Sequence, residues 1–255
     1  MAKLSHWVRC LVPMASVVAT LAVAMSAGSA SGPALGEPEE FHFARMIYVD
    51  GNGRRSFGPG WWQQDWSEAE DHFDFNLKRM TRISVGKPVT IRLTDEHLFE
   101  YPWLYATQTG YWDISDEEAA SLREYLLRGG FLMCDDFWGE NELDVFAEAM
   151  SRVFPDRKLE LLRPDDAVLH VVYSINESVQ IPGLRHLQGY GRGQNLGAPY
   201  WLGIYDDSGR LMVGANYNQD VGDSWEEANT PGYPEAMTAQ GYRFGVNYVT
   251  YAMTH

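Results

Sequence analysis

The chain has 255 residues, 45% of them hydrophobic and 22% charged, which is typical of an ordinary globular protein with one large domain or two small ones. Its formal net charge of -15 repels phosphate backbones and anionic lipid headgroups, so we expect no nucleic-acid partner and no adsorption to a membrane surface. A cationic partner or a divalent cation is compatible with that charge.

The N-terminal segment differs in composition from the rest of the chain. Lys3 and Arg9 precede an apolar run that ends in small residues near Ala30. This pattern predicts a secretory signal peptide over residues 1–30, with an uncleaved membrane anchor as the alternative. Residues 31–40 are predicted to be a linker, and residues 41–255 a single α/β domain. We therefore expect an exported protein, periplasmic or extracellular.

Strands and helices alternate in the first part of the domain. Ser67 with Glu70, and Ser115 with Glu118, have the spacing of a helix capping box. Gly129-Gly130 ends the second predicted helix, and Pro155 stops a third. Strands are predicted at 43–49, 89–93, 102–107 and 131–134. This order predicts a mainly parallel sheet flanked by helices, in which ligands bind at the carboxyl ends of the strands.

The C-terminal half is predicted to add further strands to the sheet. These are residues 159–162, 169–175, 200–205 and 211–215, with a hairpin turn at 206–209 between the last two. Apolar residues at helical spacing near the C-terminus predict a closing helix.

Two adjacent aspartates, Asp135 and Asp136, follow the predicted strand 131–134. Because neighbouring carboxylates repel, one of them could act as an acid or base, or both could hold a metal ion. The alternative, which we favour for at least one of them, is that one caps the next helix or turn and the other is solvated. Cys134 precedes two anionic residues without a nucleophile elbow, so we interpret it as a small buried residue.

The segment from 216 to 227 is rich in oxygen side chains. Asn216, Asn218 and Asp220, followed by Glu227, resemble the alternation of a calcium loop, although the glycine comes one place late. Asp220 and Asp223 are weak candidate metal ligands. An ordered polar loop beside a pocket is the favoured interpretation, with Asn216, Asn218 and Asp220 as ligand-binding residues.

Tryptophans supply the remaining candidate binding residues. Trp61, Trp62 and Trp66, with Arg54 and Arg55 nearby, could form a stacking platform for a polar ring or could pack in the core. Trp138 leaves the predicted strand together with the two aspartates and is a further candidate for ligand contact.

Several segments resemble the domain-of-unknown-function family 4159. They are FARMIYV (43–49), DEHLFEYPWLYAT (95–107), ISDEEAASLREYLLRGGFLMCDDFWG (114–139), VFPD (153–156) and GVNYVTYAMTH (245–255). The resemblance implies a flavodoxin-like α/β fold related to the class I glutamine amidotransferases, in exported or membrane-attached bacterial proteins. It implies no established activity. The amidotransferases use a cysteine in an elbow with a histidine partner, and the surroundings of Cys134 depart from that pattern.

Two functions are compatible with these features. The first is a non-catalytic cell-envelope module that binds a polar small molecule or an envelope protein. The second is a metal-assisted hydrolase that uses Asp135 and Asp136 with Asp220 or His97. Convergence of Asp135, Asp136 and Asp220 on one pocket would favour the hydrolase.

Overall fold

The structure is a computed structural model that describes residues 40–51, 60–177, 179–190 and 197–255. The predicted signal peptide, all but the last residue of the predicted linker, and Arg54 and Arg55 lie outside the described residues. In the part of the chain that is described, no helix is both long and apolar enough to cross a membrane.

The described residues form nine strands, seven of which make one sheet in the order β3-β1-β4-β6-β9-β8-β7. The strands are β1 (Ala44–Ile47), β2 (Val49–Asp50), β3 (Val89–Arg92), β4 (Trp103–Thr107), β5 (Trp112–Asp113), β6 (Phe131–Phe137), β7 (Glu160–Leu161), β8 (Tyr200–Tyr205) and β9 (Leu211–Tyr217). Five strands of this sheet are parallel to one another: β3, β1, β4, β6 and β9. Strand β8 is antiparallel to β9, and β7 is antiparallel to β8. The predicted α/β class, with a mainly parallel sheet and extra C-terminal strands, is confirmed.

Helices cover both faces of the sheet. They are α1 (Glu68–Met80), α2 (Asp116–Leu127), α3 (Gly139–Val153), α4 (Leu184–Leu187), α5 (Val221–Glu226) and α6 (Glu235–Thr254). Side chains of α2 and α3 form one apolar cluster with the sheet, and side chains of α1, α5 and α6 form a second cluster on the other face.

The central strands are buried on both faces, which explains their continuous apolar sequences. In β4, Trp103 and Tyr105 point towards one face, where they pack near Phe73 of α1 and Trp225 of α5. Leu104, between them, points into the other cluster. The period of two along β4 thus places its aromatic side chains on one side of the sheet and Leu104 on the other.

The ends of α2 agree with the sequence prediction. The Ser115 hydroxyl accepts a hydrogen bond from the backbone N–H of Glu118, and the Glu118 carboxylate accepts one from the backbone N–H of Ser115. At the other end, Gly129 has a φ of 112°, a left-handed conformation that favours glycine. The predicted capping box at Ser115 is therefore confirmed.

The capping box predicted at Ser67 is wrong. The Ser67 hydroxyl donates to Oδ2 of Asp71 and makes no capping bond. Glu70 is fully buried and accepts a hydrogen bond from the guanidinium of Arg45 on β1. A charged partner 25 residues away thus outcompetes the local N–H groups for the Glu70 carboxylate.

The strand predicted at 169–175 is also wrong. The backbone of this segment forms hydrogen bonds with the side chain of Asn247 on α6. Oδ1 of Asn247 accepts from the N–H of Tyr173 at 2.9 Å, and Nδ2 donates to the Tyr173 carbonyl at 2.8 Å. A side chain on a helix therefore satisfies polar groups that a neighbouring strand would otherwise bond.

Candidate functional site

Asp135 lies at the carboxyl end of β6 and is fully buried. Its carboxylate accepts hydrogen bonds from the N–H of Gly222 at 2.8 Å, from Oη of Tyr105 at 3.0 Å and from Nδ2 of Asn216 at 3.3 Å. Burial raises the pKa of Asp135 to about 6, and these hydrogen bonds oppose that rise. Asp135 therefore joins β6 to the first turn of α5 inside the protein.

Asp136 has a φ of 49° and turns its side chain away from that interior network. It is 4% exposed and accepts hydrogen bonds from Nε2 of Gln108 and Nε1 of Trp138. Trp138 is 3% exposed, so its indole supports Asp136 instead of forming an exposed platform. Glu142 accepts the backbone N–H of Trp138 at the start of α3. The interpretation that one aspartate caps the next helix or turn while the other is solvated is therefore wrong, because both are buried and Glu142 bonds the N–H at the start of the next helix.

Cys134 is a buried free thiol, as expected. Burial and the neighbouring Asp135 raise its pKa well above the usual value. These surroundings disfavour the thiolate that a cysteine nucleophile requires.

Asn216 and Asn218 are buried and use their side chains in structural hydrogen bonds. Oδ1 of Asn216 accepts from Oη of Tyr248 at 3.0 Å. Oδ1 of Asn218 accepts from the N–H of Gly139 at 2.9 Å, and its Nδ2 donates to the carbonyl of Ala198 at 3.1 Å. Both Oδ1 atoms are thus engaged in hydrogen bonds within the protein, which disfavours the weaker of the two interpretations, a calcium loop.

A cavity of about 400 Å³ opens at the carboxyl ends of β4, β6 and β9, the sheet edge that the sequence predicts for a ligand. Six carboxylic side chains line it: Asp65, Asp136, Asp220, Asp223, Glu226 and Glu227. Trp61, Gln64, Gln108, Gly183, Leu184, Arg185, His186 and Gln188 complete the lining. Two of the three aspartates of the hydrolase hypothesis, Asp136 and Asp220, thus share one cavity, and Asp135 lies outside it.

Three of these carboxylates are close enough to share one ion. Asp65, Asp223 and Glu226 each offer an oxygen, and these oxygens all lie within 4.8 Å of one another. Asp220, which is 6% exposed, precedes α5, and its Oδ1 accepts from the N–H of Asp223 at 3.0 Å. Oδ2 of Asp223 accepts from the N–H of Leu184 at 2.7 Å, which anchors the loop opposite.

The proximity of these carboxyl groups changes their acidity. Burial, followed by the charges of Asp65 and Asp223, raises the pKa of Glu226 to about 9. Burial and Asp65 raise the pKa of Asp223 to about 7, and burial with Asp136 raises that of Asp220 well above its usual value. Several of these groups therefore keep their protons at neutral pH when no cation is nearby.

Comparison with known proteins identifies the family but not an activity. The chain belongs to the family described as Domain of unknown function (DUF4159). The family model matches residues 42–253, which includes every residue that lines the cavity. No curated protein matches the sequence. The relationship to flavodoxin-like amidotransferases stays a prediction.

The tryptophan-rich segment forms one wall of the cavity in this DUF4159 domain. Trp61 lines the cavity and stacks on Tyr111, with ring centroids 5.1 Å apart. Trp62 packs against the core and does not line the cavity. The guanidinium of Arg45 donates to the carbonyls of Trp62 at 3.1 Å and Gln64 at 2.6 Å, so it holds the backbone that leads to Asp65.

Three residues that line the cavity were not predicted as site residues: Asp65, Glu226 and His186. They lie on segments far apart in the chain, and only the density of acidic residues after β9 hinted at Glu226. His97, a candidate for the hydrolase, is 57% exposed, pairs with Glu100 and does not line the cavity. The site of the DUF4159 domain is thus built from loops that tertiary contacts bring together.

Proposed function

We propose that the protein is an exported cell-envelope binding module that holds a positively charged ligand in this cavity without transforming it. One observation carries the proposal: six carboxylic side chains line a single cavity of about 400 Å³, where Arg185 and His186 are the basic lining residues among those described. The signal-peptide pattern of residues 1–30 supports export.

Electrostatics favours a cationic ligand over a neutral or anionic one. Asp65, Asp220, Asp223 and Glu226 form no ion pair with a lysine or arginine of the described residues. A bound cation would relieve the repulsion among them and would gain from their partial burial. The indole of Trp61 offers a further favourable surface to a cation.

A thermal-unfolding experiment on the purified chain tests this proposal. The probes are spermidine, a multivalent organic cation, glucosamine, a sugar with one amine, and glucose as the uncharged control. We expect the two cations to raise the unfolding temperature and glucose to leave it unchanged, because a ligand of the native state stabilises it by mass action.

A matched pair of variants separates the cavity from the acidic surface as a whole. Asp220→Asn retains a helix-capping oxygen but removes a charge from the cavity, and we expect it to abolish most of the shift. Glu148→Gln removes an exposed charge on α3 and should leave the shift intact. Equal shifts with glucose and glucosamine, or equal shifts in Asp220→Asn and the unaltered chain, would contradict the proposal.

A second candidate function is a metal-assisted hydrolase. The shared cavity of Asp136 and Asp220 favours it, because carboxylates could hold a cation and accept a proton from an attacking water. The test is release of nitrophenol from nitrophenyl acetate or phosphate with Mn²⁺ present. Turnover that Asp136→Asn and Asp220→Asn both abolish would favour the hydrolase over the binding module.

A further inference from the structure

On the acidic wall of the cavity, two carboxylate oxygens pack against the backbone of Gly183. A Cβ atom at Gly183 would come within 2.5 Å of Oδ2 of Asp220 and 2.8 Å of Oδ2 of Asp223. These two oxygens therefore lie close to each other, and Asp65 and Glu226 each bring a further oxygen close to Asp223.

We propose that Asp65, Asp223 and Glu226 bind one divalent cation, with the Asp220 carboxylate beside it. This inference rests on the proposed function and specifies the ligand as a metal ion. The three carboxylates are close enough for one ion to contact them all, since their ligand oxygens lie within 4.8 Å of one another.

Asp220 provides an observation independent of that triad. It is 6% exposed and lines the cavity, and its Oδ2 accepts no hydrogen bond from any described residue, whereas Oδ1 accepts the N–H of Asp223. Because Asp220 lines the cavity and this oxygen has no donor among the described residues, a cation or one of its water ligands would satisfy it. The side chain is thus positioned for a ligand that the protein itself does not supply.

The ligand chemistry selects the class of ion. The triad consists of carboxylates, and hard cations such as Ca²⁺ and Mn²⁺ prefer oxygen ligands. Water molecules from the open cavity would complete the coordination. Trp66 follows Asp65 in the chain, and Trp225 precedes Glu226. Both indoles are therefore near enough to sensitise the luminescence of a bound Tb³⁺ ion, which serves as a probe for Ca²⁺.

Isothermal titration of the metal-free chain with CaCl₂ and MnCl₂ tests the site, with Tb³⁺ luminescence as a second measurement. We expect one ion per chain, and a loss of affinity of more than about tenfold in Asp223→Asn and in Glu226→Gln. The metal-free variants should unfold at the same or a higher temperature than the unaltered chain, because each loses a repelling carboxylate. Reduced affinity then reports the site and not misfolding.

Two further variants test the geometry. Gly183→Ala keeps every carboxylate and has an ordinary φ of -66°, but its methyl group would lie within 2.5 Å of Oδ2 of Asp220 and 2.8 Å of Oδ2 of Asp223 and would displace both carboxylates; we expect affinity to fall more than about tenfold. Asp71→Asn removes an exposed charge on α1 outside the cavity and should keep the affinity. Equal losses in Asp71→Asn and Asp223→Asn would overturn the site in favour of diffuse attraction.

The outcome also separates this inference from the proposed function. Binding of spermidine without binding of Ca²⁺, Mn²⁺ or Tb³⁺ would overturn the metal site and leave the cationic-ligand proposal standing. Absence of binding by all of these cations would overturn both. One metal ion per chain that Asp223→Asn, Glu226→Gln and Gly183→Ala each weaken would support both.

Discussion

The buried ion pair of Arg45 and Glu70 should stabilise the fold, and the energetic effects of replacing the two residues should be strongly coupled. Arg45 is 1% exposed and Glu70 fully buried. The guanidinium also donates to the carbonyls of Trp62 and Gln64 and lies 5.0 Å from the ring centre of Tyr105. Replacing Arg45 by methionine keeps most of the apolar volume but removes all of these charged contacts.

The size of the effect follows from burial. Removing one partner of a buried ion pair costs about 3–5 kcal/mol, because the other charge is left without compensation. Burial raises the pKa of Glu70 while the charge of Arg45 lowers it, so in Arg45→Met the carboxyl group can relieve part of the cost by taking a proton. We therefore expect Arg45→Met and Glu70→Leu each to cost about 3 kcal/mol, and the double variant to cost about 3 kcal/mol less than their sum.

Urea unfolding followed by tryptophan fluorescence measures the four free energies of this cycle. The exposed pair of Arg128 and Glu124, with atoms 2.6 Å apart, is the control. Its coupling energy should be below about 0.5 kcal/mol, because solvent screens exposed pairs. The reasoning is refuted if the effects at Arg45 and Glu70 add to within about 0.5 kcal/mol.

Two further predictions concern α1 and α2. Asp74 is 4% exposed, and its carboxylate oxygens have no hydrogen-bond partner among the described residues. Burial raises its pKa from 3.8 to about 8, so the folded state holds a proton that the unfolded state loses, and stability falls as the pH rises through this window. From about pH 6 to about pH 8, the urea-unfolding free energy of the unaltered chain should fall about 2 kcal/mol more than that of Asp74→Asn, and equal pH profiles would rule this out. Ser115→Ala should lower the unfolding free energy by about 1 kcal/mol through loss of the capping box, whereas Ser67→Ala should change it by less than about 0.5 kcal/mol; equal losses would contradict the assignment of the caps.

Features that depend on near neighbours in the chain could be predicted from the sequence. The apolar run 131–134 indicated β6, and the spacing of Ser115 and Glu118 predicted the start of α2. The turn at 206–209 was correctly predicted because Asp206 accepts the N–H groups of Ser208 and Arg210 within the same loop. Each of these signals involves residues only a few positions apart.

Predictions failed where a distant side chain competed for a local partner. Arg45 binds the Glu70 carboxylate that the capping box at Ser67 would have used. Asn247 bonds the backbone of Tyr173 and removes the need for a strand there. Such competition depends on which distant segments pack together in the fold, and it cannot be predicted from residues that are near one another in the sequence.

The same division applies to the candidate site. The sequence by itself determined the α/β class, the family and the sheet edge at which a ligand is expected. These features follow from the order of strands and helices and from their apolar periodicity, which can be read segment by segment along the chain. Only the tertiary structure decided which carboxylates share the cavity. It placed Asp135 in an interior hydrogen-bond network and brought Asp65 to Asp223 and Glu226, because the folding of three distant segments onto one edge of the sheet sets those distances.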